Sequence, residues 1–254
     1  MSKRAVLCIF VLAGCGLDEH YTGMGDRALP GDPLNPIKTD AVCQGTVTPP
    51  KSGCEELGDG KLDVADLASK AWRFDTVVLT APLPAILADP VNVSLKDEIA
   101  ADRLNVLLLA DKDDRTAGTL DLRVGSGKAV TGGYSLDGPG NKAACALTGA
   151  RFSTTSPTAM DLPISALEPP SLPLKSLKLC GLFSPDGTAI QKGYLEGALT
   201  EADARIVTVA GADIATLLVN SEVPMDLDSD GNGTKDAWAF KGTFTAVAVK
   251  LVVQ

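Results

Sequence analysis

The chain has 254 residues, a formal charge of −9, 45% hydrophobic and 4% aromatic residues, and one histidine. An acidic balance of this size argues against nucleic acid as a partner, since such proteins carry basic patches. The apolar fraction is enough for a real core, which excludes general disorder. The length suits one domain, or one domain with a small appendage.

In chain order, Lys3 and Arg4 precede an apolar run from Ala5 to Leu12, followed by small residues and Cys15. About ten apolar residues are too few to span a bilayer, which needs ~20, so the run reads as a removable leader over residues 1–14. The ending Leu12-Ala13-Gly14-Cys15 resembles the lipobox of bacterial lipoproteins. That resemblance implies a diacylglyceryl thioether on Cys15, cleavage before it and acylation of the new amine. It also implies a lipid anchor in the cell envelope. The residue after the cysteine is Gly16 and not the Asp that favours inner-membrane retention in some members, so the outer membrane is favoured. Several acyl chains hold a protein stably where one holds it only marginally. The leader's two basic residues gone, the remainder carries −11. No later segment reaches 18 consecutive apolar residues, so no second span is expected.

Residues 15–42 read as a flexible tether, because Pro30, Pro33, Pro36, Gly23, Gly25 and Gly31 deny them regular structure. Residues 43–66 read as a small disulfide-closed region, and residues 67–254 as the main domain. Cys43, Cys54, Cys145 and Cys180 form an even set in an exported chain, so two disulfides are expected. Three connectivities are possible. Cys43–Cys54 with Cys145–Cys180 is favoured, the first closing a tight loop. A four-thiolate metal site lacks the CxxC spacing such sites use.

From about Leu67 onward short β-type runs recur. They are 72–80, 104–110, 119–124, 146–152, 176–182, 193–199, 204–209 and 243–253. Turns are expected at 113–114, 125–127, 132–133, 185–187 and Gly211. Two short helices are expected, one over 94–101 with Ser94 as its cap and one over 213–218 capped by Asp213. The fold class expected is all-β, an antiparallel sandwich or barrel-like domain with one or two short helices. Trp72-Arg73-Phe74 and Trp238-Ala239-Phe240 each follow a glycine-rich acidic turn, and both tryptophans are expected to anchor the core.

The strongest chemical signal is Asp226-Leu227-Asp228-Ser229-Asp230-Gly231-Asn232-Gly233-Thr234-Lys235-Asp236. Calcium takes six to eight oxygen ligands, and alternate acidic residues on a tight turn aim several carboxylates at one point. The stretch resembles the calcium loops of the EF-hand, dockerin and thrombospondin type 3 families. One frame uses Asp226, Asp228 and Asp230. The other uses Asp228, Asp230, Asn232, the Thr234 carbonyl and Asp236. Position 12 is alanine in both, Ala237 or Ala239, where an EF-hand has a glutamate. The plain alternative is a solvated acidic turn. A weaker echo runs from Glu55 to Asp66, where Leu57 stands in a ligand position.

The only histidine, His20, lies in the tether, so the main domain has no histidine for Ser-His-Asp or Cys-His catalysis. GxSxG, phosphate-loop and HExxH patterns are missing as well. No catalytic residue is assigned. The expected function is a lipid-anchored envelope or surface protein acting as a calcium-stabilised binding or structural module, with a protein, glycan or apolar ligand as partner. Alternatives are a calcium-dependent hydrolase of polysaccharide, which two converging carboxylates would favour, and a carrier of an apolar ligand, which a continuous apolar pocket would favour.

Overall fold

Runs with one apolar face must bury that face, and a sheet closed on itself does so without leaving edges. The computed structural model describes residues 53–252, apart from 166, 210 and the side chains of 85–87. The first half contains β1 (Ala71–Ala81), α1 (Ala85–Ala100), β2 (Val106–Asp114), β3 (Thr119–Val130), β4 (Gly133–Leu136), β5 (Asn141–Thr148) and β6 (Arg151–Thr154). It continues with β7 (Thr158–Pro163), β8 (Leu167–Glu168), β9 (Ser171–Phe183), β10 (Ala189–Thr200), α2 (Glu201–Ile206), β11 (Thr208–Val209), β12 (Ala212–Asp213), α3 (Ile214–Asn220) and β13 (Ala237–Val249). Strands β10, β13, β1, β2, β3, β5, β6 and β9 pair in that order, and β9 returns to β10. The result is a closed eight-stranded antiparallel barrel, one of the two architectures expected. β4 pairs only with the far half of β3, β7 adds to β9, and β8, β11 and β12 make a small separate sheet.

An eight-stranded barrel is just wide enough for side chains to fill it. Trp72, Phe74, Phe152, Phe183, Trp238 and Phe244 are all buried in one cluster with the aliphatic residues. Phe74 and Phe244 stack with ring centres 4.3 Å apart. Trp72 Nε1 donates to the Gly187 carbonyl and Trp238 Nε1 to the Val223 carbonyl, each at 3.1 Å, so neither indole pays for burial with an unpaired N–H. Both Trp-x-Phe segments thus serve the core as expected, on paired strands β1 and β13.

Several local expectations are corrected. The run 204–209 is a strand only at Thr208–Val209 (β11): α2 takes its first half, because Thr200 caps the Asp203 N–H and Glu201 pairs with Arg205 one turn on. The helix expected from Ser94 begins at Ala85, with Ser94 in its interior and Pro90 inside it. Residues 146–152 split into the ends of β5 and β6 around Gly149, which has φ +60°. Gly125-Ser126-Gly127 is no turn but lies within β3, where a Cβ on Gly127 would come within 2.4 Å of Leu107. The helix capped by Asp213 is present as α3, with the Thr216 N–H donating to the Asp213 carboxylate at 2.8 Å.

The disulfide pairing also differs. Cys180 bonds Cys54, and Cys145 is a buried free thiol. Alternation explains it: Cys145 shares the inward face of β5 with Ala143 and Leu147, whereas on β9 the inward residue is Leu179, so Cys180 faces out. The barrel wall separates the two sulfurs expected to pair. Cys15, His20 and Cys43 lie outside the described residues. Residues 53–66 run along the barrel without strand structure. They are tied by the disulfide, by Ala150 N–H to the Asp59 carbonyl (2.6 Å) and by Asp63 N–H to the Pro185 carbonyl (2.7 Å).

Candidate functional site

β1 pairs with β13 along most of its length but with β2 only from Ala71 to Arg73. Beyond Arg73 the wall opens, and α1 packs into the gap with Leu95 and Ile99 buried. The Asn92 side chain closes one part of the exposed edge, accepting from the Leu79 N–H (2.8 Å) and donating to the Leu79 carbonyl (3.0 Å). In an antiparallel pair, successive residues point their main-chain groups to alternate sides. Val77 N–H and C=O therefore point the same way as those of Leu79, toward a cleft of about 840 Å3.

The cleft is walled by β1, α1 and the β3–β4 hairpin. Exposed Val78 and Val93 give it an apolar patch, and Asp75, Asp89 and Lys96 a charged rim. None of those three charges is in an ion pair among the described residues. At one end Arg73, only 9% exposed, joins the elements. Its guanidinium donates to the Ile99 carbonyl and the Asn105 side chain and meets Asp102 at 2.9 Å. Tyr134 donates its hydroxyl to the same Asp102 carboxylate at 2.9 Å, and its ring lies 5.3 Å from the Arg73 guanidinium. Burial first, then the hydrogen bond to Asp102, pushes the Tyr134 phenol above its ordinary range, so it remains a donor at neutral pH.

Local backbone explains why these residues converge. Asp102 ends α1 in a left-handed conformation, φ +56°, and Asn105 Nδ2 holds its carbonyl at 2.7 Å. Tyr134 is held by the C-terminal segment: its N–H donates to the Lys250 carbonyl and its own carbonyl accepts from Val252. That approach needs a glycine beside it, since a Cβ on Gly133 would sit 2.2 Å from the Lys250 oxygen. Sequence reading missed this group because its members stand far apart in the chain. The one available signal was a charged residue, Arg73, between Trp72 and Phe74 in an otherwise core-forming strand.

The acidic loop is ordered by its own main chain. Asp228 accepts from Gly231, Asn232 and Gly233 N–H groups, and Asp230 from the N–H and side-chain amide of Asn232. The Asn232 side chain accepts from Thr234 N–H, and Asp236 accepts from the Ser229 N–H and hydroxyl. The Gly233 N–H lowers the Asp228 pKa, and the Ser229 N–H lowers that of Asp236, with Asp228 nearby acting in the opposite sense. Asp226 turns away to accept from Ala239 N–H at 2.7 Å. Of the two ligand frames, the geometry therefore keeps Asp228, Asp230, Asn232, Thr234 and Asp236 on one turn and sets Asp226 apart. Among the described residues no three acidic, thiol or imidazole side chains gather around one point. In the weaker echo, Asp59 pairs with Arg151 and Asp63 with Lys61.

The buried carboxylates are structural. Glu98 is gripped by Arg103 through two bonds of 3.0 and 2.9 Å and by the Ser165 hydroxyl, and the Arg103 bonds above all hold its pKa low. Asp113 is buried against Arg115. Every carboxyl with a resolved shift among the described residues is held below its ordinary value. Glycoside hydrolysis needs the opposite for its general acid.

Comparison with protein families, with curated proteins and with solved structures returns no match for this chain.

Proposed function

We propose that this protein is an exported, lipid-anchored β-barrel module that binds a partner without catalysis, taking an extended protein segment into the cleft between α1 and the edge of β1. The observation that carries this reading is the incomplete β1–β2 pairing, which leaves the Val77 main chain facing a cleft lined by exposed Val78 and Val93. An added strand would draw affinity from those main-chain groups and specificity from alternate side chains. The lipobox-like ending at Leu12–Cys15 supports the anchor, and the buried Glu98, held low by Arg103 and Ser165, serves structure and not acid catalysis. A photocrosslinking residue at Val93 tests it in intact envelopes. A discrete crosslinked protein from Val93, missing from the equally exposed Ile206, is the expected result. Identical patterns from both positions, or none from Val93, would refute it. Loss of lipid labelling in Cys15→Ser tests the anchor.

For the acidic loop, calcium is proposed as a stabilising ion held by Asp228, Asp230, Asn232, the Thr234 carbonyl and Asp236. What supports it is the spacing of three carboxylates and the Asn232 side chain along one tight turn; they do not converge on one point, so the ion would have to draw them together. At a hundredfold excess over Kd, a native-state ligand stabilises by ~2.7 kcal/mol. A saturable rise in melting temperature with calcium but not magnesium, lost in Asp230→Ala, is expected. A flat response would reduce the loop to a polar turn.

A further inference from the structure

We infer that a second site, at one end of the barrel, takes a single aliphatic chain. An apolar cavity of about 220 Å3 lies there, on the side of α1 away from the open β1 edge. Leu79 and Phe240 form its floor, and Val91 of α1, Val209 of β11 and Leu217 of α3 form walls. Ser94 supplies the only polar side chain among the described lining residues. Seven separate elements contribute to it (β1, α1, β8, β9, β11, α3 and β13), so it is a built concavity and not a seam between two strands. Val91, Ser94, Val209 and Leu217 are half-buried, which leaves the interior in exchange with solvent.

Water bound there finds almost no hydrogen-bonding partner, and a charged or polyhydroxylated ligand would lose its hydration without replacement. A hydrocarbon chain loses nothing and removes apolar wall from water. The size selects among hydrocarbons. A dry cavity of ~150 Å3 holds one benzene ring, so this one holds about eight to ten carbons by the same scale. That is below the ~300 Å3 at which drug-sized sites begin. One chain of medium length enters, its polar end remaining in solvent. This holds whether or not the cleft binds a protein.

The test uses the full chain in native envelope membranes. Decanoate carrying a diazirine at its terminal carbon is added and irradiated, and labelled peptides are mapped by mass spectrometry. Label is expected on α3 and on the Val91–Ser94 stretch of α1. Straight-chain carboxylates should compete with potency rising about fourfold per methylene from hexanoate to decanoate, then levelling at dodecanoate. Ser94→Asp, which puts a charge into the cavity, and Val209→Phe, which fills it, should each cut labelling at least about tenfold. Continued protection of the Cys145 thiol from alkylation shows that the variants are folded. The inference is overturned by label missing from those peptides, by competition without chain-length dependence, or by labelling unchanged in both folded variants.

Discussion

Replacing Cys54 and Cys180 together by serine removes a cross-link that closes 126 residues of chain. In the chain-entropy model a loop of that length is worth about 5 kcal/mol, because the reduced unfolded chain regains the freedom the bond denied it. Cys180 is fully buried but lies under the strap over residues 53–66 and outside the barrel's apolar cluster, so the barrel interior keeps its packing. The effect should therefore fall on the unfolded state and not on the core. With a urea slope of ~2 kcal/mol per M, the unfolding midpoint of the double variant should drop by about 2.5 M relative to the oxidised parent. Non-reducing digestion of the parent should yield one peptide pair joining Cys54 to Cys180. Cys145 should alkylate only on unfolding, since burial pushes its thiol up to about 12 and leaves almost no thiolate at neutral pH. A peptide joining Cys145 to Cys180, rapid native-state alkylation of Cys145, or an unmoved midpoint would refute the reasoning.

Gly193→Ala drives a methyl to within 2.4 Å of the Phe244 ring, which is itself stacked on Phe74. Overpacking of this kind costs ~1–3 kcal/mol, so calorimetry should show the melting temperature several degrees lower, and an unchanged one would contradict the packing. Arg73→Met strips donors from the Ile99 carbonyl, Asn105 and Asp102 at once. Asp102 is half exposed and keeps water, so the loss should sit near the lower end of the range for breaking a buried ion pair, ~3 kcal/mol, measured by denaturant unfolding. Arg73→Lys should restore only part of it, because one ammonium cannot reproduce the fork. The Ser184 hydroxyl first, and then the Thr188 N–H, hold Asp186 at about 2. A folded pKa below the unfolded one means a contribution present above pH ~4 and lost as the pH falls from there toward 2. Carboxyl NMR titration should find that low midpoint in the parent and a higher one in Ser184→Ala, and an ordinary value in the parent would sink the assignment.

Period-two alternation made β3 readable from the chain, β-type runs bounded by turn residues made β1, β10 and the later part of β13 readable, and the Asp213 cap made α3 readable, because these signals act over a few residues. Capping by Thr200 and Asp203 was equally local, yet α2 was read as a strand. The apolar residues at its end and just beyond, Ala204, Ile206 and Val207, fit two periods over so short a span. Pro90 concealed the first half of α1, since packing of Leu95 and Ile99 against the barrel outweighs one lost helix N–H. The cleft left no motif to find: Arg73, Asp102, Asn105 and Tyr134 meet only because β1 parts from β2 and the β3–β4 hairpin docks on the C-terminal segment.

By itself the sequence determined an acidic balance, an all-β body and a turn rich in carboxylates, and it raised the expectation of a leader from the lipobox-like ending Leu12-Ala13-Gly14-Cys15. Each is a property of composition or of neighbours within about ten residues. Tertiary structure alone decided that the sheet closes into a barrel, that Cys180 takes Cys54 and leaves Cys145 inside, and where the wall opens to make a cleft. Those outcomes depend on which strand lies beside which and on which face each side chain takes. Pairing between distant segments sets both, and no local pattern encodes it.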